Sequence, residues 1–99
     1  MRAIGMAILF VGLCSQIAGA DEFGVLHEAE GVEVTYYSCT ACHSERIVAQ
    51  QGLTRDRWDA MLDWMVEEQG MPELEAEDRA AILDYLSEHY NTDRPNFPR

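Results

Sequence analysis

The sequence predicts a small all-α domain of about three helices, preceded by an export signal. Residues 54–70 and 75–91 repeat apolar side chains at the three- and four-residue spacing of a helix face. No segment alternates apolar and polar residues as a half-buried strand does, and there is no internal repeat or glycine-rich phosphate loop. A third observation, two cysteines three positions apart and followed by His, bears on how so small a chain completes its core.

Residues 1–20 have the pattern of a cleaved export signal. Arg2 supplies the positive charge, residues 7–13 form the apolar stretch, and residues 18–20 form a small-x-small cleavage site. The stretch is short for a transmembrane helix, so an uncleaved anchor is the lesser alternative, as is a lipid anchor at Cys14. We expect a periplasmic protein whose mature domain spans residues 21–99 and which has no membrane association after cleavage.

The chain is strongly acidic. It has 18 Asp and Glu against seven basic residues, all of them Arg, for a formal net charge of −11. Such a charge repels nucleic acid and anionic membranes and favours a partner with a basic docking face. Solubility explains the charge equally well, so the charge alone assigns no partner.

The elements follow in order along the chain. Residues 21–34 have no sustained period and are predicted to form a partly ordered arm, whereas residues 35–50 are predicted to be helical, with the cysteines within or at the end of the first segment. Thr54 is a plausible N-cap for the strongest helix, which Gly70 ends. Its apolar face comprises Trp58, Met61, Leu62, Met65 and Val66.

The last helix is predicted to begin between residues 75 and 78, where acidic side chains suit the helix dipole, and to end at Asn91. The tail, residues 91–99, has two prolines and is expected to be extended. The apolar stripe of this helix consists of Ile82, Leu83, Tyr85, Leu86, His89 and Tyr90.

Cys39, Cys42 and His43 form the one chemically distinctive pattern. A structural zinc site needs four ligands, and these three would require a remote fourth. A redox dithiol fits the spacing, but it normally sits between a strand and a helix, and no strand is predicted. C-x-x-C-H is also the attachment pattern of haem c, in which both sulfurs hold the porphyrin and the His ligates the iron. Since a haem also fills a small core and is attached after export, we predict one haem c, bound covalently through Cys39 and Cys42 and ligated by His43.

An electron carrier keeps its iron six-coordinate, and Met is the usual second ligand. Met61 and Met65 lie on the apolar helix face, where packing explains them. Met71 follows Gly70 in a loop between helices, so we predict Met71 as the second ligand, with Met65 as the main rival and His27 or His89 behind.

Other side chains have less specific patterns. Trp58 and Trp64 are expected to pack against the porphyrin, and an indole N–H, Arg55 or Arg57 is a candidate partner for a haem propionate. The acidic residues at 67–68 and 73–78 are expected to be solvated helix ends, or else a docking rim around the site.

The chain resembles the class I cytochromes c: CTACH near the start of the mature chain, Gly70-Met71-Pro72 in a loop, and a final helix ending AILDYLSEHY. The stretch from Cys39 to residue 74 is similar to the haem subunits that accompany exported dehydrogenases, above all that of bacterial sulfite dehydrogenase. The resemblance implies a small haem-wrapped fold, the site Cys39, Cys42, His43 and Met71, and a molybdenum-cofactor subunit as electron donor.

Three functions remain open at this point. The first is an electron-accepting subunit of a sulfite dehydrogenase, which is itself no enzyme and passes electrons to a downstream cytochrome or oxidase. The second is a freely diffusing carrier serving another dehydrogenase or a terminal oxidase. The third is a gas-binding haem sensor, against which a Met ligand argues.

Overall fold

All regular structure in the protein is helical. The computed structural model describes Gly5 and residues 22–94, and these contain four helices and no strand: α1 (Val32–Cys39), α2 (Glu45–Ala49), α3 (Arg55–Glu68) and α4 (Ala76–His89). The all-α prediction is therefore confirmed. Apart from Gly5, the predicted export signal lies outside the described residues, as do residues 95–99 of the predicted tail. Within the described part, no helix has the length and apolar character needed to cross a membrane.

The predicted helical segment 35–50 is two helices rather than one. Helix α1 ends at Cys39, where the N–H of Thr40 donates to the carbonyl of Tyr36 at 2.9 Å. Ser44 then takes an extended conformation and its hydroxyl accepts from the N–H of Arg46 at 3.2 Å, which caps α2. The chain consequently turns between the two helices at residues 40–42, a turn that includes the second cysteine.

The predicted ends of α3 are confirmed. The Thr54 hydroxyl accepts from the N–H of Arg57 at 3.3 Å, as an N-cap does. Gly70, just beyond the C-cap, has φ of 73°, a left-handed conformation that glycine adopts without steric cost. This glycine reverses the chain at the end of the helix and so sets the position of the residue after it.

Helix α4 is the centre of the molecule, since it packs against both α1 and α3. Its side chains Ile82, Leu83, Tyr85 and Leu86 are buried, as the periodicity predicts. The start of α1 approaches α4 closely at Gly31, where a Cβ would lie 2.9 Å from the Cβ of Tyr85 and 3.1 Å from the carbonyl oxygen of Ala81. Only glycine permits this approach, and its φ of 92° also favours glycine.

Hydrogen bonds at the end of α4 fasten the N-terminal segment to the core. The Tyr85 hydroxyl donates to the carbonyl of His27 at 2.7 Å, and the N–H of His27 donates to the Tyr90 hydroxyl at 3.0 Å. The carbonyl of Tyr90 accepts from the indole of Trp58 at 2.9 Å and from the N–H of Leu53 at 3.0 Å. The segment before α1, predicted as a partly ordered arm, is therefore held against α4 at His27.

The end of α4 is closed by Asn91, as predicted. Its side-chain amide donates to the carbonyls of Ser87 and Glu88, both at 3.1 Å. The next residues turn, because the N–H of Arg94 donates to the carbonyl of Asn91 at 3.0 Å. The extended conformation expected for the rest of the tail stays a prediction.

Ionisation of Tyr85 is expected to lower the stability of the fold at alkaline pH. Burial, reinforced by Tyr90, raises the pKa of the Tyr85 phenol. In the unfolded chain this phenol ionises at about pH 10, so its contribution to stability is complete below that pH and is lost as the pH rises above it. We expect Tyr85→Phe to cost about 1 kcal/mol at neutral pH, through the lost bond to His27, and to flatten the decline in stability above about pH 10.

Urea unfolding at neutral and alkaline pH measures this effect. The matched control is Tyr37→Phe, which makes the same substitution at a phenol that is 60 % exposed. The control should follow the wild-type decline. An equally steep decline in Tyr85→Phe would show that other groups set the alkaline limit.

Candidate functional site

Cys39 and Cys42 reach one cavity from two adjoining elements. Cys39 is the last residue of α1 and is buried, whereas Cys42 is exposed in the loop that follows. Both line the same cavity, and both thiols are free rather than joined in a disulfide. Burial raises the pKa of the Cys39 thiol to about 11, so this thiol is protonated at neutral pH.

His43 lines the cavity beside Cys42. Its Nδ1 lies 3.2 Å from the carbonyl oxygen of Ser44. In the tautomer that donates from Nδ1 to this oxygen, Nε2 keeps a lone pair, which is the arrangement common in metal-ligating histidines. The N-cap of α2 thus also orients the imidazole.

The cavity has a volume of about 400 Å³, within the range of small-molecule and cofactor sites. The four site residues predicted from the sequence, Cys39, Cys42, His43 and Met71, all line it, although they come from α1, the next loop and the segment after α3. Most of the remaining lining is apolar and comes from α2 and α3. It consists of Ser38, Ile47, Val48, Gln51, Trp58, Met61, Trp64, Met65 and Gln69.

Met71 is held at this cavity by the C-terminus of α3. The carbonyl oxygen of Met65 accepts from the N–H of Gln69 at 3.1 Å and from the N–H of Met71 at 3.0 Å. Together with the left-handed Gly70, these bonds fold the loop back over the last turn of the helix. Met71 is partly buried there.

Met61 and Met65 line the same cavity and are half-buried. Both therefore lie at the cavity wall, as well as on the apolar face where packing was expected to explain them. With Met71, three thioethers reach one site, and the choice of Met71 over Met65 stays a prediction.

The alternative His ligands lie elsewhere. The rings of His27 and His89 are 4.7 Å apart and that of His89 is 5.1 Å from the ring of Tyr85, at the junction of the N-terminal segment and α4. Neither histidine lines the cavity that holds Cys39 and Cys42.

The sequence predicts four candidate partners for a haem propionate, namely Trp58, Trp64, Arg55 and Arg57. Two of them make other contacts. The Trp58 indole donates to the carbonyl of Tyr90, and the Arg55 guanidinium pairs with Asp84 of α4 at 2.7 Å. Arg57 instead lines a shallow groove of about 440 Å³ that shares Met61 and Trp64 with the main cavity. Arg57 and the Trp64 indole make no hydrogen bond or ion pair through their side chains within the described residues. Of the four candidates, these two are the ones left available beside the site.

The remaining metal and redox alternatives find less support in this geometry. Among residues 22–94, no three His, Cys, Asp or Glu side chains converge as they do around a zinc ion. Burial raises the pKa of the Cys39 thiol, which makes Cys39 a poor nucleophile for thiol–disulfide exchange; this holds for the buried Cys39 and not for the exposed Cys42. One imidazole nitrogen and a thioether are the two ligands that the sequence predicts for a haem iron.

Sequence reasoning missed the contribution of α2. Ile47 and Val48 of α2 line the cavity, and Gln51 just after the helix does so too, whereas the sequence predicts only that residues 35–50 are helical. The signal was present in Ser44 and Glu45, an N-cap and an acidic first turn, which mark a new helix directly after His43.

No protein-family model matches the chain, and neither the curated proteins nor the solved structures contain a significant match.

Proposed function

We propose that this chain is a periplasmic monohaem c-type cytochrome that transfers single electrons and carries out no substrate chemistry itself. The observation that carries the proposal is the arrangement of one cavity: Cys39, Cys42 and His43 line it together with three Met side chains, although these come from separate parts of the chain. A mainly apolar cavity with two thiols, one imidazole nitrogen and a thioether fits the donor set of a haem c.

Each site residue then has a role. Cys39 and Cys42 would hold the haem through two thioether bonds, and the iron would be ligated by His43 through Nε2 and by Met71 through sulfur. When bound, the haem supplies an iron that alternates between the ferric and ferrous states. The Met ligand favours the ferrous state, and the apolar walls of Trp58 and Val48 exclude water.

Arg57 is the residue placed to pair with a haem propionate, because it is next to the cavity and lacks an acidic partner within the described residues. We expect Arg57→Gln to lower the reduction potential, since removing a positive charge stabilises the ferric form. The expected size is about 0.5–1 kcal/mol, as for a partly exposed charge pair. Potentiometric titration of the haem-loaded protein measures it.

Arg55→Gln is the matched control, since it makes the same change of charge where the guanidinium pairs with Asp84. It should shift the potential by a smaller amount. Equal shifts in the two variants would mean that Arg57 acts only through the total charge and not as a propionate partner.

The electron donor we propose is the molybdenum-cofactor subunit of a sulfite dehydrogenase, with a downstream cytochrome or oxidase as acceptor. The support is the similarity of the stretch from Cys39 to residue 74 to the haem subunits of such enzymes. A freely diffusing carrier is the second candidate, supported by the acidic surface, which suits brief electrostatic encounters with several partners.

The test starts from the periplasm of cells that attach haem c. The protein is purified at low salt, its haem is quantified after denaturation, and molybdenum is measured in the same fraction. A co-eluting molybdenum subunit whose turnover with sulfite reduces the haem supports the dedicated relay. A lone red monomer supports the diffusing carrier, whereas a chain without covalent haem overturns both.

A further inference from the structure

Two exposed apolar side chains border the cavity. The large apolar residues with high exposure in the described part of the chain are Tyr37, Ile47 and Trp64, at 60 %, 51 % and 49 %. Ile47 of α2 and Trp64 of α3 both line the cavity while exposing half of their surface. Exposed apolar side chains that share one site and are bordered by polar residues are typical of an interaction surface.

An acidic segment follows Trp64 in the chain. Residues 67–78 contain six acidic side chains and no basic one, and all six are exposed: Glu67, Glu68, Glu73, Glu75, Glu77 and Asp78. No ion pair among the described residues involves any of them. The next basic residue, Arg79, already pairs with Asp59 at 2.6 Å and Asp63 at 2.8 Å.

These carboxylates are close to the site for two reasons. Glu67 and Glu68 follow Trp64 by three and four residues on α3, so they are its neighbours on the helix surface. Met71, which lines the cavity, lies within the acidic segment itself. The apolar border and the negative charge therefore belong to one surface.

We propose that Ile47, Trp64 and the carboxylates of Glu67, Glu68 and Glu73 form the docking surface for the electron donor, a protein that presents an apolar centre ringed by Arg and Lys. This inference rests on the proposed electron-transfer function. The acidic side chains steer the basic partner, and the apolar contact holds it at the edge of the cavity, where the path for the electron is short. A second copy of this chain is a poor occupant, because its net charge of −11 would repel the same carboxylates.

The role of the carboxylates in the proposed docking surface is tested on the haem-loaded protein with two oxidants of opposite charge. Tris(phenanthroline)cobalt(III) is a cation with apolar aromatic ligands, so it imitates the basic and apolar character of the proposed partner. Ferricyanide is an anion. In the Glu67→Gln/Glu68→Gln variant we expect the rate of haem oxidation by the cobalt complex at low salt to fall roughly two- to five-fold, and the ferricyanide rate to rise. Both differences should shrink as salt is added.

The control is Glu30→Gln/Glu88→Gln, which removes the same charge at a groove between the start of α1 and α4 that shares no residue with the site cavity. Its rates should change clearly less. Equal changes in the two double variants would overturn the proposal, because the total charge would then explain them. If the chain carries no haem, the proposed function has failed, which is visible beforehand from the absence of red protein.

The apolar contact at Trp64 is tested on the ferrous protein by nuclear magnetic resonance. The probes are two redox-inert paramagnetic chromium(III) complexes of equal charge. We expect tris(phenanthroline)chromium(III) to broaden the indole N–H resonance of Trp64 at a lower concentration than hexaamminechromium(III) does, with the buried Trp58 as the internal reference. Equal broadening by the two complexes would exclude the apolar contact and overturn the proposed surface.

Discussion

Replacing both Cys39 and Cys42 with Ala is expected to abolish covalent haem and to leave the mature chain largely unfolded. The reason is the size of the domain: below about 80 residues a single core rarely contributes more than 3–5 kcal/mol. Here a cavity of about 400 Å³ adjoins buried residues of α1, α2 and α3. Haem retention after denaturation and the helical circular dichroism signal during thermal unfolding measure the two effects.

Cys14→Ala is the matched control, since it removes the third Cys of the chain within the predicted export signal. It should leave the haem content and the melting curve of the mature protein unchanged. A double Cys39/Cys42 variant that still unfolds cooperatively near the wild-type temperature would contradict the prediction. The cavity would then not require a covalently bound group for stability.

Met71→Ala is expected to lower the reduction potential by on the order of 100 mV and to remove the sulfur-to-iron absorption band. It should also let added imidazole or carbon monoxide bind, because a ligand position opens. The physical reason is that a thioether favours ferrous iron, and Ala offers no replacement donor. Potentiometry and absorption spectroscopy of the haem-loaded protein measure both effects.

Met65→Ala and Met61→Ala are the comparison variants, since all three Met side chains line the cavity. If Met71 is the ligand, both should keep the absorption band. Loss of the band in Met65→Ala, with Met71→Ala unaffected, would move the assignment to Met65. A wild-type protein that binds carbon monoxide readily would instead favour the sensor function.

The local features of the fold were predictable because they depend on residues that are neighbours in the chain. The apolar spacing of α3, the cap at Thr54, the left-handed Gly70 and the closing Asn91 each involve contacts within about one helical turn. The approach of Gly31 to Tyr85 was not predictable, because the two residues are far apart in sequence. No sequence pattern around either residue indicates that it contacts the other.

For the site, the sequence by itself determined the chemical groups: two thiols and an imidazole within five residues, and a Met in a glycine- and proline-bounded loop. The tertiary structure alone decided what surrounds them. The turn at Ser44 brings α2 to the cavity, and the fold-back after α3 brings Met71 beside Met65. Bond geometry along the chain fixes the spacing between neighbouring residues. The placement of α1 and α3 depends instead on packing against distant residues of α4, and that of α2 depends on packing against α1.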